Sequence, residues 1–417
     1  MDFLINNYGL EKYDGTSEIV TIPEEVLYID RNCFANNNHI KKVILPKNLI
    51  CIDAHAFENC QSLESVVFSG DCNSIMEYAF YNCKNLKDIN LPDSLTYIGK
   101  ESFVSCFSLE SIIVPSILEL SEGIFSNCRN LKSVEIKNGL IKICKNAFNY
   151  CLSLEKITFP QSLKEIHEFA FFNCQTIKEI TLSNNLTRIE KDAFSFCHSL
   201  EKINIPKNVV ELCENTFLDC FNLKEVEIND GLVKIDKHAF MNCHNLEIIS
   251  LPSSLKEIQI HAFSNCKKLN NITLPNALYK LGFGAFQNCN CLEKINIPSK
   301  IKVLNTNTFA GCYSLKEVEF EDGLLVINDS TFNFCSNLTN IILPSSLKII
   351  EPFAFSFCSN ITSISLPNGI HQIGEGAFFD SKLESVTIPK NCTFASSLIE
   401  CDKTSFPTDC EIITKNC

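Results

Sequence analysis

Apolar residues recur along this chain on a period of 23, and one phenylalanine in each period keeps the count: Phe34, Phe57, Phe80, Phe103, Phe125, Phe148, Phe171, Phe194, Phe217, Phe240, Phe263, Phe286, Phe309, Phe332, Phe355 and Phe378. Every interval is 23 residues except Phe103 to Phe125, which is 22. Three residues after the phenylalanine comes a cysteine in fourteen of the sixteen units, from Cys60 to Cys358, with Asn37 and Ser381 in the two end units. Atypical end units are what the caps of a stacked repeat look like. The whole unit reads A-F-x-N-C-x-x-L-x-x-I-x-L-P-x-x-L-x-x-I, as in Ala262, Phe263, Asn265, Cys266, Leu269, Ile272, Leu274, Pro275, Leu278 and Leu281. Ile272 and Leu274 stand at strand period and the proline then ends the strand. A unit this short has no room for a hairpin, so the strands of successive units must stack in parallel at ~4.8 Å, sixteen rungs making a rod or arc on the order of 75 Å long.

A second apolar pair, such as Leu255 and Ile258, packs with the A-F-x-N-C turn from the opposite side. One unit alone cannot bury these residues. At about 1.5 to 3 kcal/mol per buried side chain, the core must come from stacked neighbours, and the phenylalanine column is expected to be its spine. The pattern places an amino-terminal cap of half a repeat at 1–24, sixteen repeats over 25–389 and a carboxy-terminal cap at 390–417, where the phase dissolves. A longer period of four units, 92 residues, overlies the basic one. Leu200 to Pro206 (LEKINIP) recurs at Leu292 to Pro298, and the loop proline is replaced at Lys137, Asn229 and Glu321, each time before Asn138-Gly139, Asp230-Gly231 or Asp322-Gly323.

Stretches such as Leu246 to Leu255 (LEIISLPSSL) and Ala354 to Leu366 (AFSFCSNITSISL) resemble the BspA-like leucine-rich repeat family, over roughly residues 18 to 389. The resemblance implies an α/β-type repeat solenoid, mostly β. This would be a right-handed arc with one parallel β-sheet on its concave face and short turns or strands on its convex face. It also implies a binding scaffold, since family members include bacterial surface adhesins and protozoan surface proteins; fold alone does not fix the partner.

Composition changes the picture mainly by exclusion. A net charge of -13, with no Lys/Arg-rich run to offset it, repels phosphate backbones, so nucleic acid is not an expected partner. The first residues show no basic region followed by an apolar run, and no uninterrupted apolar stretch approaches the ~18 to 20 residues of a membrane span, so no membrane insertion is expected. The expected protein is a cytoplasmic monomer, with the cell surface, reached by an unconventional route, as the alternative. The Asn-, Lys-, Ile- and Phe-rich usage would suit an AT-rich protozoan genome.

Twenty-four cysteines raise the question of zinc or disulfides, but column cysteines 23 residues apart lack the two-to-four-residue spacing of zinc ligands. Small buried reduced thiols are the expected state of the column. Among the off-ladder cysteines only Cys392, Cys401, Cys410 and Cys417 cluster, and a capping disulfide there stays open. His55, His238 and His261 share the position two before the phenylalanine and are expected to face solvent. Glu135, Glu227 and Glu319, four units apart, invite a calcium site. Each cluster offers at most three carboxylates where calcium wants about six to eight oxygens, so acidic turns inherited by duplication are expected. No Gly-rich phosphate loop, G-x-S-x-G or H-E-x-x-H occurs, so no enzyme and no cofactor are expected.

The exposed strand positions carry the functional reading. Lys41, Glu64, Lys87, Glu110, Lys132, Glu155, Lys178, Glu201, Lys224 and Glu247 alternate in sign from rung to rung, and Lys156, Glu179, Lys202 and Glu225 alternate in antiphase beside them. Such a face compensates itself and fixes register. Two patches lie outside it: Ile44, Val67, Asn90 and Ile113 toward the amino end, and Thr339, Asn340, Ile342, Thr362, Ser363 and Ser365 toward the carboxy end. Uncharged surface is cheaper to desolvate, so these ten residues are the candidate contacts for a protein partner. The expected function is a non-enzymatic protein-binding scaffold, as a surface adhesin or as an intracellular regulatory or assembly scaffold working through the concave sheet.

Overall fold

A computed structural model of the chain describes residues 2–390, 392–395 and 405–415. It divides into two compact units, Met1–Asn208 and Val209–Cys417, and the 23-residue repeat runs through each. Within a repeat the chain lays down two short strands separated by a proline or glycine turn. In the unit around Phe34 these are Lys42–Leu45 and Cys51–Ile52. The first strands pair in parallel, Lys42 to Ser65 and Val43 to Val66, and so do the second, Tyr28 to Cys51 and Ile29 to Ile52. Side chains alternate as the pleat demands: along Ser111–Val114 the residues are exposed, buried, exposed and buried.

The α/β expectation is corrected here: the described residues contain strands and turns and no helix. Its physical cause is the A-F-x-N-C turn, which places a residue with positive φ on either side of the phenylalanine. Two residues before it stand His55, Tyr78, Asn146 and Gly284, and two after it Asn59, Asn82, Tyr150 and Gly311, with φ between 55 and 73°. Left-handed residues at that spacing cannot continue a right-handed helix.

The alternation sends every second N–H of the turn toward the next repeat. His55, Phe57 and Asn59 donate to the carbonyls of Glu77, Ala79 and Tyr81, at 3.1, 2.8 and 2.8 Å. The intervening Ala56, Glu58 and Cys60 donate back within their own turn, to Asp53, His55 and Phe57. Turns therefore stack through a ladder of their own. Asparagine side chains add an outer rail: Asn82 Nδ2 donates to Asn59 at 2.6 Å, Asn265 to Asn242 at 2.8 Å and Asn288 to Asn265 at 3.0 Å.

Inside the turn ladder the phenylalanine rings stack face to face. From Phe34 to Phe194 the centroids are 4.8 to 5.6 Å apart, with planes within 21°. From Phe217 to Phe378 the spacing is 5.2 to 5.6 Å, and the rings are fully buried. Tyr13 continues the stack at the amino end, 5.3 Å from Phe34, and Phe406 continues it beyond Phe378 at the same distance. Tyr13 closes an antiparallel hairpin, Phe3–Asn6 with Gly9–Tyr13, that the sequence pattern did not announce; Asn7 and Tyr8, at φ 47° and 64°, make its turn. Cys401 and Cys417 of the expected carboxy cap lie outside the described residues, while Cys392 and Cys410 are free thiols.

The strand columns are less continuous than the turns. The first column breaks between Asp88–Ile89 and Ser111–Val114, between Lys156–Thr158 and Glu179–Ile180, and after Ile248–Ser250. Around Phe80 and Phe103 the second column breaks as well, between Tyr97–Ile98 and Glu119–Leu120. The one missing residue of the 22-residue unit falls in its loop, where Pro115 to Leu118 connect the two strands. Even there the turns hold: Tyr78, Phe80 and Asn82 donate across the interface at 2.9, 2.8 and 2.8 Å, and the rings stay stacked at 5.3 Å.

The ladder predicts a specific order of stabilities. Asn265→Ala removes two ladder hydrogen bonds and forces alanine to φ 61°, and it should cost about 1 to 2 kcal/mol in urea unfolding. Asn265→Gly removes the same bonds but accepts the backbone, and it should cost roughly half as much. Equal losses would mean that left-handed strain is not part of the turn's design.

Candidate functional site

The cysteine column is the largest set of reactive side chains, and the turn explains its chemistry. Column thiols donate to the carbonyl of the phenylalanine one repeat earlier, as Cys60 does to Phe34 at 3.0 Å, Cys128 to Phe103 at 3.0 Å and Cys266 to Phe240 at 3.2 Å. That carbonyl already accepts the N–H of the cysteine in its own turn, as Phe57 does from Cys60. The thiols therefore satisfy the second lone pair of a buried carbonyl. Burial pushes the Cys128 and Cys312 thiols up to about 12, opposed only in part by backbone hydrogen bonds from Cys106 and Cys289. A thiol held protonated is neither a nucleophile nor a metal ligand.

The histidines, which occupy one of the two left-handed sites of the turn, are half-buried rather than solvent-facing. His55 stacks on Tyr78 at 4.9 Å and His238 on His261 at 5.9 Å. Burial, and then neighbouring His238, lower the pKa of His261.

The acidic turns spend their carboxylates on the neighbouring repeats. Glu321 accepts the N–H of Ser299 at 2.9 Å, and Asp322 accepts both the N–H and the hydroxyl of Ser345 at 2.9 and 3.0 Å. Glu319 is held by Lys294 Nζ at 2.6 Å. Among the described residues no group of three or more His, Cys, Asp or Glu side chains could hold a metal ion.

On the exposed face of the first strands the charge ladder is made of neighbouring pairs: Glu18 with Lys41 at 2.8 Å, Glu64 with Lys87 at 2.9 Å, Glu110 with Lys132 at 2.9 Å. These groups are about half exposed, so the pairs act on register more than on stability. The second strands carry another alternating ladder, missed in the sequence because it hides in the L-x-x-I segment. Glu119, Lys142, Glu165 and Arg188 are register partners in one unit, and Glu211, Lys234, Glu257 and Lys280 in the other.

The candidate contact residues fall in both units of the chain. Ile44 is half-buried and pairs with exposed Val67. Asn90 and Ile113, both exposed, line one groove of about 630 Å³ with Glu135, Lys156 and Thr158, over the break in the first strand column. In the other unit Ile342 is 84% exposed and bridges to exposed Ser365, with Thr339, Thr362 and Ser363 exposed alongside. Asn340 begins the strand Asn340–Ile341, but its side chain lies outside the described ones.

Against known proteins, a family model described as a BspA type leucine rich repeat region matches residues 5–132, 116–224, 188–312 and 280–400. No curated protein matches the chain. Among solved structures, a leucine-rich repeat protein from Bacteroides ovatus is similar over 98% of this chain and 94% of its own, at 24% identity and a TM-score of 0.60, a likeness of fold. A leucine rich cell surface protein from Faecalibacterium prausnitzii aligns over 95% and 93% of the two chains, at 23% identity and a TM-score of 0.41. The pneumococcal vaccine antigen PcpA aligns over 98% and 92%, at 17% identity and a TM-score of 0.42.

The thiol geometry makes a direct prediction. An aromatic disulfide reagent should label the native protein at exposed Cys291 and leave the column silent, and unfolding in guanidinium without reductant should release the column as free thiols. Column cysteines found cross-linked would contradict the hydrogen-bonded arrangement.

Proposed function

Because the chain belongs to the BspA-type leucine-rich repeat family, we propose that it is a non-enzymatic scaffold that binds a protein partner through the exposed face of its first strands. The observation that carries this reading is Ile342, a large apolar side chain 84% exposed among uncharged Thr339, Thr362 and Ser365 on a face whose other rungs compensate their own charges. A side chain so placed loses little in desolvation and has apolar area to bury, as interface cores do. The amino-terminal patch, with Val67 at 38% and Ile113 at 51% exposed, offers the same chemistry in the other unit.

Family resemblance favours an adhesin on a cell surface as the setting. A scaffold working inside the cell is the second reading, and the free, buried thiols of the column favour it, since reducing compartments keep such thiols.

A photo-crosslinking residue at position 342 should capture one protein in extracts of the source cells, and the same residue at Glu247, within the charge ladder, should not. The captured protein, once purified, should bind the intact chain, and Ile342→Lys should weaken that binding at least tenfold without lowering the melting temperature. Equal capture from both positions, or binding indifferent to Ile342→Lys, would remove the face from the interface.

A further inference from the structure

The turn edge carries aromatic rings at its left-handed positions, and two of them, half-buried Phe169 and exposed Phe353, are 184 residues apart, twice the 92-residue period. Their surroundings are opposite in charge. At Phe169 the chain supplies its own cations: Lys145 Nζ lies 5.9 Å from the ring centroid and Lys191 Nζ 6.0 Å, and Glu168 pairs with both. The positions 184 residues further on hold Asp329 in place of Lys145, Glu375 in place of Lys191 and Pro352 in place of Glu168. Both lysines have become carboxylates around an aromatic ring that is otherwise kept.

Phe353 is 42% exposed, and its ring lies against Gly376, where a Cβ would come within 2.5 Å of it. The open space beside it is a cleft of about 570 Å³ lined by Phe353, Glu375, Phe379, Asp380, Ser381 and Phe406. Phe379 is 50% exposed, and the Ser381 hydroxyl has no hydrogen-bond partner among the described residues. Two exposed aromatic rings and two carboxylates, Glu375 and Asp380, lining one cleft can attract a cation twice, through the ring quadrupole and by charge. A planar guanidinium suits such a cleft best, because it stacks on a ring while offering its N–H fork to a carboxylate.

We propose that the cleft between Phe353 and Phe379 is a receptor for an arginine side chain of a protein partner, the place of an internal lysine having been given over to an external cation. The inference rests on the reading of the chain as a protein-binding scaffold. It concerns a surface other than the strand face, so the cleft can fail while capture at position 342 stands.

The test titrates the intact chain with Nα-acetyl-arginine methylamide, read by saturation-transfer NMR, with the lysine analogue as comparison. The arginine probe should bind saturably and at least threefold tighter than the lysine one. Glu375→Lys, which restores the cation found beside Phe169, should weaken binding at least fivefold, while the charge-matched Glu25→Lys leaves it within twofold. Conversely, Lys145→Asp with Lys191→Glu should open a second saturable site at Phe169, a gain that misfolding cannot mimic. No saturable binding, equal affinity for the two probes, or equal loss from Glu25→Lys and Glu375→Lys would overturn the proposal.

Discussion

The whole architecture depends on one repeated contact: the N–H of a core phenylalanine reaching the alanine carbonyl of the next repeat while the two rings lie face to face. Phe57 to Ala79, Phe148 to Ala170, Phe240 to Ala262 and Phe332 to Ala354 all span 2.8 Å. The contact forces two left-handed residues into every turn, at a cost of about 1 to 3 kcal/mol each for side chains other than glycine and asparagine. Cooperative stacking must offset that cost, because a single turn has neither the ring stack nor the inter-repeat bonds. The cysteine column belongs to the same device: its thiols complete the carbonyls that the turn leaves with a free lone pair.

Since the turns set the repeat spacing, the strands are released from that duty. They can be two residues long, can part after three or four repeats, and can leave the sheet where a side chain takes over, as Asn296 does by donating to and accepting from the backbone of Leu274 at 3.0 Å each way. Charges can then alternate on both strand columns without a penalty in register, and the face becomes a surface on which a few uncharged positions stand apart. A scaffold of this kind separates holding itself together from presenting side chains. Binding residues on it can change without threatening the fold.

Much of this was legible in the sequence. The phenylalanine period fixed the number and stacking of the repeats, the proline after Leu274 and its equivalents located the strand ends, and the alternation of Lys and Glu located the exposed face. The absence of helix was not read, although its sign was present: Asn, Gly, Asp and His crowd the positions two before and two after the phenylalanine, where only a left-handed backbone explains them together. The thiol hydrogen bonds were out of reach because they join Cys60 to Phe34, 26 residues away, across a turn geometry no local pattern specifies. The cleft at Phe353 was hidden for another reason: it shows only when Asp329 and Glu375 are set against Lys145 and Lys191, two four-repeat blocks away.

Amide hydrogen exchange, resolved residue by residue on the intact chain, tests the priority of the turns over the strands most directly. The N–H groups of Phe80, Phe148 and Phe240 bridge the three interfaces at which the first strands part. They should be among the slowest in the protein, slower by at least a hundredfold than amides such as Thr181 and Thr273, which lie beside those breaks outside any strand. Turn amides that exchange as fast as these, with protection confined to the paired strands, would contradict the account and return the solenoid to its sheets.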